Sequence, residues 1–456
     1  MRALSIALTG ALLASAPAAA QTVESQSRIH GLVAEVRAER LRADVESMVG
    51  FGTRHTLSET GSDTRGVGAA RRWVEREFQT ISRECGGCLE IVLPGETVTA
   101  LPRIPNPTEV INVVAIQRGT TDPDRVIIIT GHLDSRVTDV MNATDDAPGA
   151  NDDASGVAAL IEAARVLSKE RFPATLVYAA LTGEEQGLHG ARILAEYARD
   201  NGWRVMANLN NDMVGNIEGQ SGVIDNTRIR VFAEGTRTLE TQAEADSRRY
   251  NGGEVDSPSR NLARFIDGVA DRYLTNFDVE MIYRTDRYGR GGDQVGFLRL
   301  GFPAVRITEG SERYDRQHQD LRTENGVVYG DTIDGVDFDY LAQATRLNVA
   351  TMAAMAKAPA PPTGVTIAGA VLPDTTLRWT AVPGAAGYRV WWRSTTAPQW
   401  THSRWAGDAT ELVLRGVVID DFFFGVSAVS ADGFESPVVF PGPAGAFIPA
   451  PPRATR

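Results

Sequence analysis

At 456 residues the chain exceeds one ordinary domain, and two or three folded units are expected. Its 43% apolar and 23% charged residues, with a mean hydropathy of −0.18, provide for a substantial core and exclude wholesale disorder. A net charge of −12 argues against binding nucleic acid or an anionic membrane, because both need a basic face; the scattered arginines form no basic tract, and Lys169 and Lys357 are the only lysines.

The first elements belong to export. Arg2, a mostly apolar stretch from Ala3 to Ala14, and Ala18-Ala19-Ala20 before Gln21 fit a signal peptide over 1–20. The stretch is too short to span a bilayer, and no later run approaches about 18 apolar residues. No Cys follows the cleavage site. The mature protein is therefore expected to be exported, periplasmic or secreted, without membrane insertion or a lipid anchor.

From 23 to 357, helical and strand patterns alternate. This predicts an α/β domain with a mostly parallel central sheet flanked by helices. Helical periodicity covers 29–49 and 69–81. Apolar runs at 110–116, 126–129, 176–181, 205–209 and 304–307 read as strands, with helices at 155–167, 188–198 and 340–355. Residues 217–260 are polar and read as an elaborated loop region. The two cysteines, Cys85 and Cys88, flank Gly86-Gly87 and predict a local disulfide that closes too small a loop to stabilise much.

Residues 358–362, Ala-Pro-Ala-Pro-Pro, read as a stiff linker. Short strands at 376–380, 387–392, 411–414 and 422–429 then predict a C-terminal all-β sandwich over 363–443. Trp379 before Pro383, Gly387-Tyr388-Arg389-Val390, and the run from Phe423 to Val429 followed by Gly433 resemble a fibronectin type III domain. Trp379 and Tyr388 are read as packing residues.

Five short motifs carry the chemistry. Gly131-His132-Leu133-Asp134-Ser135 follows the run at 126–129, and a carboxylate beside an imidazole can hold its second nitrogen. Asp145, Asp146, Asp152 and Asp153 crowd near a helix start; one Asp serves as a cap, but several together repel unless a cation is present. Thr182-Gly183-Glu184-Glu185 leaves a strongly apolar run, so one glutamate can bind metal while the other moves a proton. Asp212 and His318 each lie beyond a further apolar run. All five motifs fall past the C-terminal ends of predicted strands, where open α/β sheets bind ligands, and the His and carboxylate donors suit zinc or a similar divalent ion.

In this order the motifs resemble the dinuclear zinc exopeptidases typified by bacterial leucyl aminopeptidases and plasma glutamate carboxypeptidase, over most of 23–357. The resemblance implies His132 as a metal ligand with Asp134 as its orienting partner, and Asp152 as the carboxylate bridging two metals. It implies Glu184 as the general base and Glu185 as a ligand sharing one metal with His318, with Asp212 sharing the other with His132. Two departures stand out: Gly292-Asp293-Gln294 replaces Ser-Asp-His, and Gln317 stands where many members place a Tyr before the last His. Arg290 or Tyr288 is the candidate to supply the missing donor to substrate. His189, on the following helix, is not expected to be a ligand.

What the resemblance implies is an exported peptidase with two Zn2+ (Co2+ and Mn2+ fit the same donors) and peptide substrates. A metal-bridged hydroxide would attack the peptide carbonyl while Glu184 takes and returns the proton, removing N-terminal residues. The alternatives are a carboxypeptidase or dipeptidase, with Arg287 and Arg290 receiving the substrate carboxylate, and a glutaminyl-cyclase-like acyltransferase. The β-sandwich is expected to serve attachment to a surface or polymer.

Overall fold

The computed structural model describes residues 17–447, with side chains from Gln26; residues 1–16 of the expected signal peptide lie outside them. Helices α1 (Pro17–Ala34), α2 (Ala38–Val49) and α3 (Gly66–Glu84) come first, and Cys85 and Cys88 are disulfide-bonded just after α3. Then follow β1 (Leu89–Val92), a separate hairpin of β2 (Gly95–Val98) and β3 (Thr108–Ile111), β4 (Val113–Gln117) and β5 (Asp122–His132). Next are α4 (Ala154–Leu167), β6 (Ala174–Leu181), α5 (His189–Asp200), β7 (Arg204–Asn211), β8 (Arg228–Phe232), α6 (Gln242–Asn251) and α7 (Pro258–Tyr273). The α/β part ends with β9 (Asp278–Ile282), α8 (Gln294–Leu298), β10 (Ala304–Glu309), a small hairpin of β11 (Arg322–Glu324) and β12 (Val327–Tyr329), and α9 (Phe338–Lys357).

Strands buried on both faces must be apolar throughout, and all eight residues of β6 are buried. Pleating sends Ile127 and Ile129 of β5 into the core that holds α4 and α9, and Val126 and Ile128 into the core that holds α5 and α8. The eight-stranded sheet has the order β1-β4-β6-β5-β7-β10-β8-β9. Its four central strands, β6, β5, β7 and β10, run parallel, while β4 and β8 flank them antiparallel. The C-terminal ends of the four central strands therefore share one edge.

The segment expected as a loop region at 217–260 holds β8, α6 and the start of α7. Strand β8 escapes a search for apolar runs because it alternates, burying Ile229 and Val231 between Arg228 and Arg230. Helix α6 buries no residue at all; a capping box between Thr241 and Glu244 fixes its start instead.

Six strands complete the chain: β13 (Thr363–Ala368), β14 (Thr375–Thr380), β15 (Gly387–Ser394), β16 (His402–Gly407), β17 (Glu411–Leu414) and β18 (Phe422–Val429). They form two three-stranded antiparallel sheets, β13-β14-β17 and β16-β15-β18. Trp379 of one sheet meets Tyr388 of the other with ring centroids 5.5 Å apart. This unit sits on α7. Trp400 Nε1 donates to Asn261 Oδ1 at 3.2 Å, and Gln399 Nε2 donates to Asp267 at 2.8 Å. Ala358, Pro359, Pro361 and Pro362 are buried. Among the described residues no helix is long and apolar enough to cross a membrane.

Candidate metal centre

His132 ends β5, Glu184 and Glu185 follow β6, and Asp212 follows β7. His318 lies in the loop between β10 and β11, and Asp152 lies two residues before α4. The shared sheet edge brings all of them together. Asp152 directs Oδ1 to His132 Nε2 at 3.0 Å and Oδ2 to His318 Nε2 at 2.9 Å, one oxygen for each imidazole. Asp212 Oδ1 lies 3.9 Å from His132 Nε2, and Glu185 Oε1 lies 3.0 Å from His318 Nε2. Donor atoms of His132, Asp152 and Asp212 fall within 4.8 Å of one another, as do those of Asp152, Glu185 and His318. Glu184 joins His132 and Glu185 in a third such set.

These residues fit a pair of divalent cations. Four carboxylates converge with the two imidazoles, among the described residues only Arg136 and Arg306 pair with them, on Glu185 and Asp212, and Asp152 belongs to two donor sets at once. The titration shifts report the same crowding. Burial opposes a proton on His318, but Glu185 and Asp152 outweigh it and raise the group to about 10. Burial raises the Glu184 carboxyl well above its ordinary range, with Glu185, Asp212 and Asp293 adding to the effect against His132. Asp212 is held below the ordinary range despite burial, chiefly by Arg306.

The contacts behind the donor atoms differ in part from the sequence expectation. His132 Nδ1 donates to the backbone carbonyl oxygen of Asp134 at 2.9 Å, while the Asp134 carboxylate oxygen is 3.8 Å away. That carboxylate instead accepts from the backbone N–H groups of Gly183, Glu184 and Glu185 at 2.9, 3.2 and 3.1 Å. Thr56 donates to it as well, at 2.8 Å. Asp134 thus fixes the turn that presents both glutamates, and Gly183 supplies that turn's positive φ of 84°.

The aspartate crowd separates. Asp153 caps α4 through Gly156 N at 3.0 Å and also accepts from His132 N at 2.8 Å. Asp146 pairs with Arg65 at 2.7 Å and Asp145 accepts from Asn142 at 2.8 Å, both away from the donor sets. Asp152 alone faces the imidazoles, its own N–H held by Asp331 at 2.7 Å.

Of the two substrate candidates, Arg290 lines the cavity above the donors, where it reaches Glu312 at 3.1 Å and Gln317 at 3.4 Å. Tyr288 is 88% exposed and lies against Arg284, outside that cavity. His189 is buried at the start of α5 and joins no donor set. Gln294 donates to Asp286 at 2.6 Å and accepts from Asn210 at 3.2 Å, bracing the loop after β9.

Several contributors were invisible in the sequence. Arg306 is fully buried on β10 and donates to the carboxylate of Asp212 and, at 3.3 Å, to its carbonyl. Arg136 contacts Glu185 Oε2 at 2.8 Å and His318 Nδ1 at 2.6 Å. Asp293, which the sequence showed only as the middle of Gly292-Asp293-Gln294, is fully buried with neither carboxylate oxygen partnered, and burial pushes it up to about 8. No spacing rule finds these residues, because each comes from a different loop or strand. The one available signal was charge inside apolar runs, as with Arg306 between Val305 and Ile307.

The family described as Peptidase family M28 matches residues 112–336. A "Probable zinc metalloprotease" of Leptosphaeria maculans is 46% identical over 424 residues, covering 92% of this chain and 97% of its own. Another, from Pyrenophora teres f. teres, is 45% identical over 422 residues, covering 91% and 87%. Among solved structures, the LapA aminopeptidase of Legionella pneumophila shares the fold with a TM-score of 0.52 and 18% identity, over 73% of this chain and 75% of that one.

Proposed function

The chain belongs to peptidase family M28 and is a zinc metallopeptidase, and from that premise we propose that it removes single residues from the N-terminus of peptides with two metal ions bound. The observation that carries this reading is Asp152, which offers one oxygen to each of two His-containing donor sets. His132 and Asp212 would hold one ion and Glu185 and His318 the other. The ions would supply Lewis-acid polarisation of the carbonyl and an acidified water.

The chain's own groups account for the remaining steps. Glu184 stands at the cavity wall beside His132 and Glu185, where its carboxylate is able to take a proton from water and return it to the leaving amine. Asp134 keeps Glu184 in place by gripping the backbone of its turn. Arg306 holds Asp212, and Asp331 holds the backbone at Asp152. Aminopeptidase polarity rests on the ordered motif series from His132 to His318. Export is part of the same proposal, supported by the disulfide between Cys85 and Cys88, a bond typical of oxidising compartments.

The test is a leucyl peptide with a free or an acetylated N-terminus. Acetylation is expected to block cleavage; equal cleavage of the two would sink the aminopeptidase reading. Elemental analysis of the dialysed protein should find close to two divalent ions per chain, and one ion or none would refute the paired site.

A further inference from the structure

Pleating divides the residues of β15. Tyr388 and Val390 enter the core between the two C-terminal sheets, so Arg389 and Trp391 point the other way, and Trp405 stands opposite Arg389 on the edge strand β16. Trp405 is 49% exposed. Its indole lies along the sheet because Gly387 has no side chain: a Cβ there would come within 2.4 Å of Cζ2 and Cη2 of the ring. One face of the indole is thus held against the strand, and the other is turned to solvent.

The Arg389 guanidinium sits between two indoles, 5.8 Å from the ring centroid of Trp405 and 5.6 Å from that of Trp391. Its Nε donates to Glu435 at 3.3 Å and its Nη1 to Ser403 Oγ at 3.5 Å. Trp391 Nε1 donates to the same Glu435 carboxylate at 2.7 Å and to Ser427 Oγ at 2.9 Å. These side chains fix one another, so the surface is formed before anything binds to it. Trp391 and Glu435 also close one side of a cavity of about 490 Å3, whose other walls include Phe265 and Tyr273 of α7, Trp400 and Phe434. A cavity of that size between two folded parts is large enough for a ligand.

Charge narrows the class of ligand. Arg389 is offset by Glu435, and the exposed Asp271 and Arg272 lie side by side on the cavity wall. Arg264, also in the wall, binds all three of its nitrogens inside the fold, to Asp256, Asn261 and the carbonyl oxygens of Val255 and Pro398. The balance favours neither an anion nor a cation, and a purely apolar ligand would leave Arg389 and Glu435 facing hydrocarbon. A bare indole face beside paired donors and acceptors suits a sugar ring. The C–H face of such a ring is apolar and weakly positive against the negative face of the indole, and its hydroxyls both donate and accept.

We propose that this face of the C-terminal sheets binds a neutral polysaccharide, with one sugar ring stacked on Trp405 and the chain running past Arg389 and Glu435 into the cavity beside Trp391. Trp391 and Trp405 are diagonal neighbours across β15 and β16, about 7–8 Å apart along the backbone, so a chain of a few rings touches both. None of these residues lines the cavity at the metal centre. Binding therefore concentrates the peptidase at a polysaccharide surface without entering its reaction.

The test is calorimetric titration of the full chain with cellohexaose, xylohexaose, laminarihexaose and chitohexaose. At least one of the four is expected to bind and to change the tryptophan fluorescence. Trp405→Ala should weaken that binding about tenfold, and Trp405→Phe by less. Glu435→Gln, which keeps the shape of the side chain but breaks its ion pair with Arg389, should weaken it as well. Peptidase activity and the unfolding midpoint of Trp405→Ala should match the wild type, which separates a lost surface from a lost fold. No binding of any of the four sugars at millimolar concentration overturns the inference, as does binding that survives both Trp405→Ala and Glu435→Gln. Tighter binding of polygalacturonate that salt abolishes would make the ligand an anion and overturn it too. Binding of decaproline in place of the sugars would do the same, since aromatic-lined grooves also take proline-rich chains.

Discussion

At the seat of the C-terminal sheets, Asp256 is fully buried and accepts from Arg264 at 2.8 Å and from Arg393 at 2.8 and 2.9 Å. At the end of β5, by contrast, Asp152, Glu185 and Asp212 are buried around two imidazoles, and Glu185 Oε1 faces the His318 imidazole at 3.0 Å with no hydrogen-bond donor aimed at it. Both regions take carboxylates out of water, which is costly unless the charge is matched. In the first the chain supplies both guanidiniums itself, so the cluster is complete and serves to hold two folded parts together. In the second Arg136 and Arg306 offset only part of the charge, and the remainder is left for bound metal. A buried acid that the chain neutralises is structural, and one left short of positive charge marks a site.

The comparison can be broken most decisively by removing the metal. A chelator is expected to abolish peptidase activity and to lower the unfolding midpoint by several degrees, both restored by zinc, because the acids of the site then face one another uncompensated. Unchanged activity after chelation would put the cluster in the same class as Asp256.

Next in size is Glu184→Gln, with a loss of about 10²- to 10⁴-fold in kcat. Metal content should stay at the wild-type level, whereas Glu185→Gln should lose metal. Equal metal loss in the two variants would make Glu184 a ligand, which its place in the third donor set permits.

Asp256→Asn probes the other region. It leaves Arg264 and Arg393 buried without an anion, for an expected cost of about 3–5 kcal/mol in denaturant unfolding. Metal content should not change. A smaller cost, or a loss of metal, would show that the two clusters are not independent.

The smallest effect is a pH dependence at the same seat. Burial raises Asp267, which accepts from Gln399, to about 6 from an ordinary 3.8. Between those values the folded state keeps a proton that the unfolded chain releases, so this group's contribution falls as pH rises through that window and levels off above it. Asp267→Asn should reduce that slope, as read from unfolding midpoints between pH 4 and pH 7. An unaltered slope would mean that Asp267 is ionised in the folded state.

Much of this architecture was open to a reading of the chain alone. Runs such as 126–129 and 176–181 identify central strands because only strands covered on both faces are apolar throughout. The alternating β8 and the fully solvated α6 were not identifiable in that way. Period-two burial between arginines looks polar, and a helix that buries nothing leaves no stripe to detect. In the site, a donor directly after an apolar run is visible as a motif, but its supporting contacts are not. Asp134 could have faced the imidazole or the Glu184–Glu185 turn, and the spacing of two residues allows both.

The sequence by itself determined that His132, Glu184, Glu185 and Asp212 would gather at one edge, because each follows a strand that must lie in the middle of a parallel sheet. Tertiary structure decided which member of each acidic pair faces the centre. Asp153 is drawn into the cap of α4 and the backbone of His132, leaving Asp152 to lie between the imidazoles. It also decided the charge around that centre. Arg103 comes from a hairpin loop, Arg136 from the loop after β5, and Arg306 from the interior of β10, and only the packed fold brings them beside the donors. The reason is one of range: periodicity and caps act over a few residues of chain, whereas the direction of a buried charged side chain is set by whichever partner the completed core places within hydrogen-bond reach.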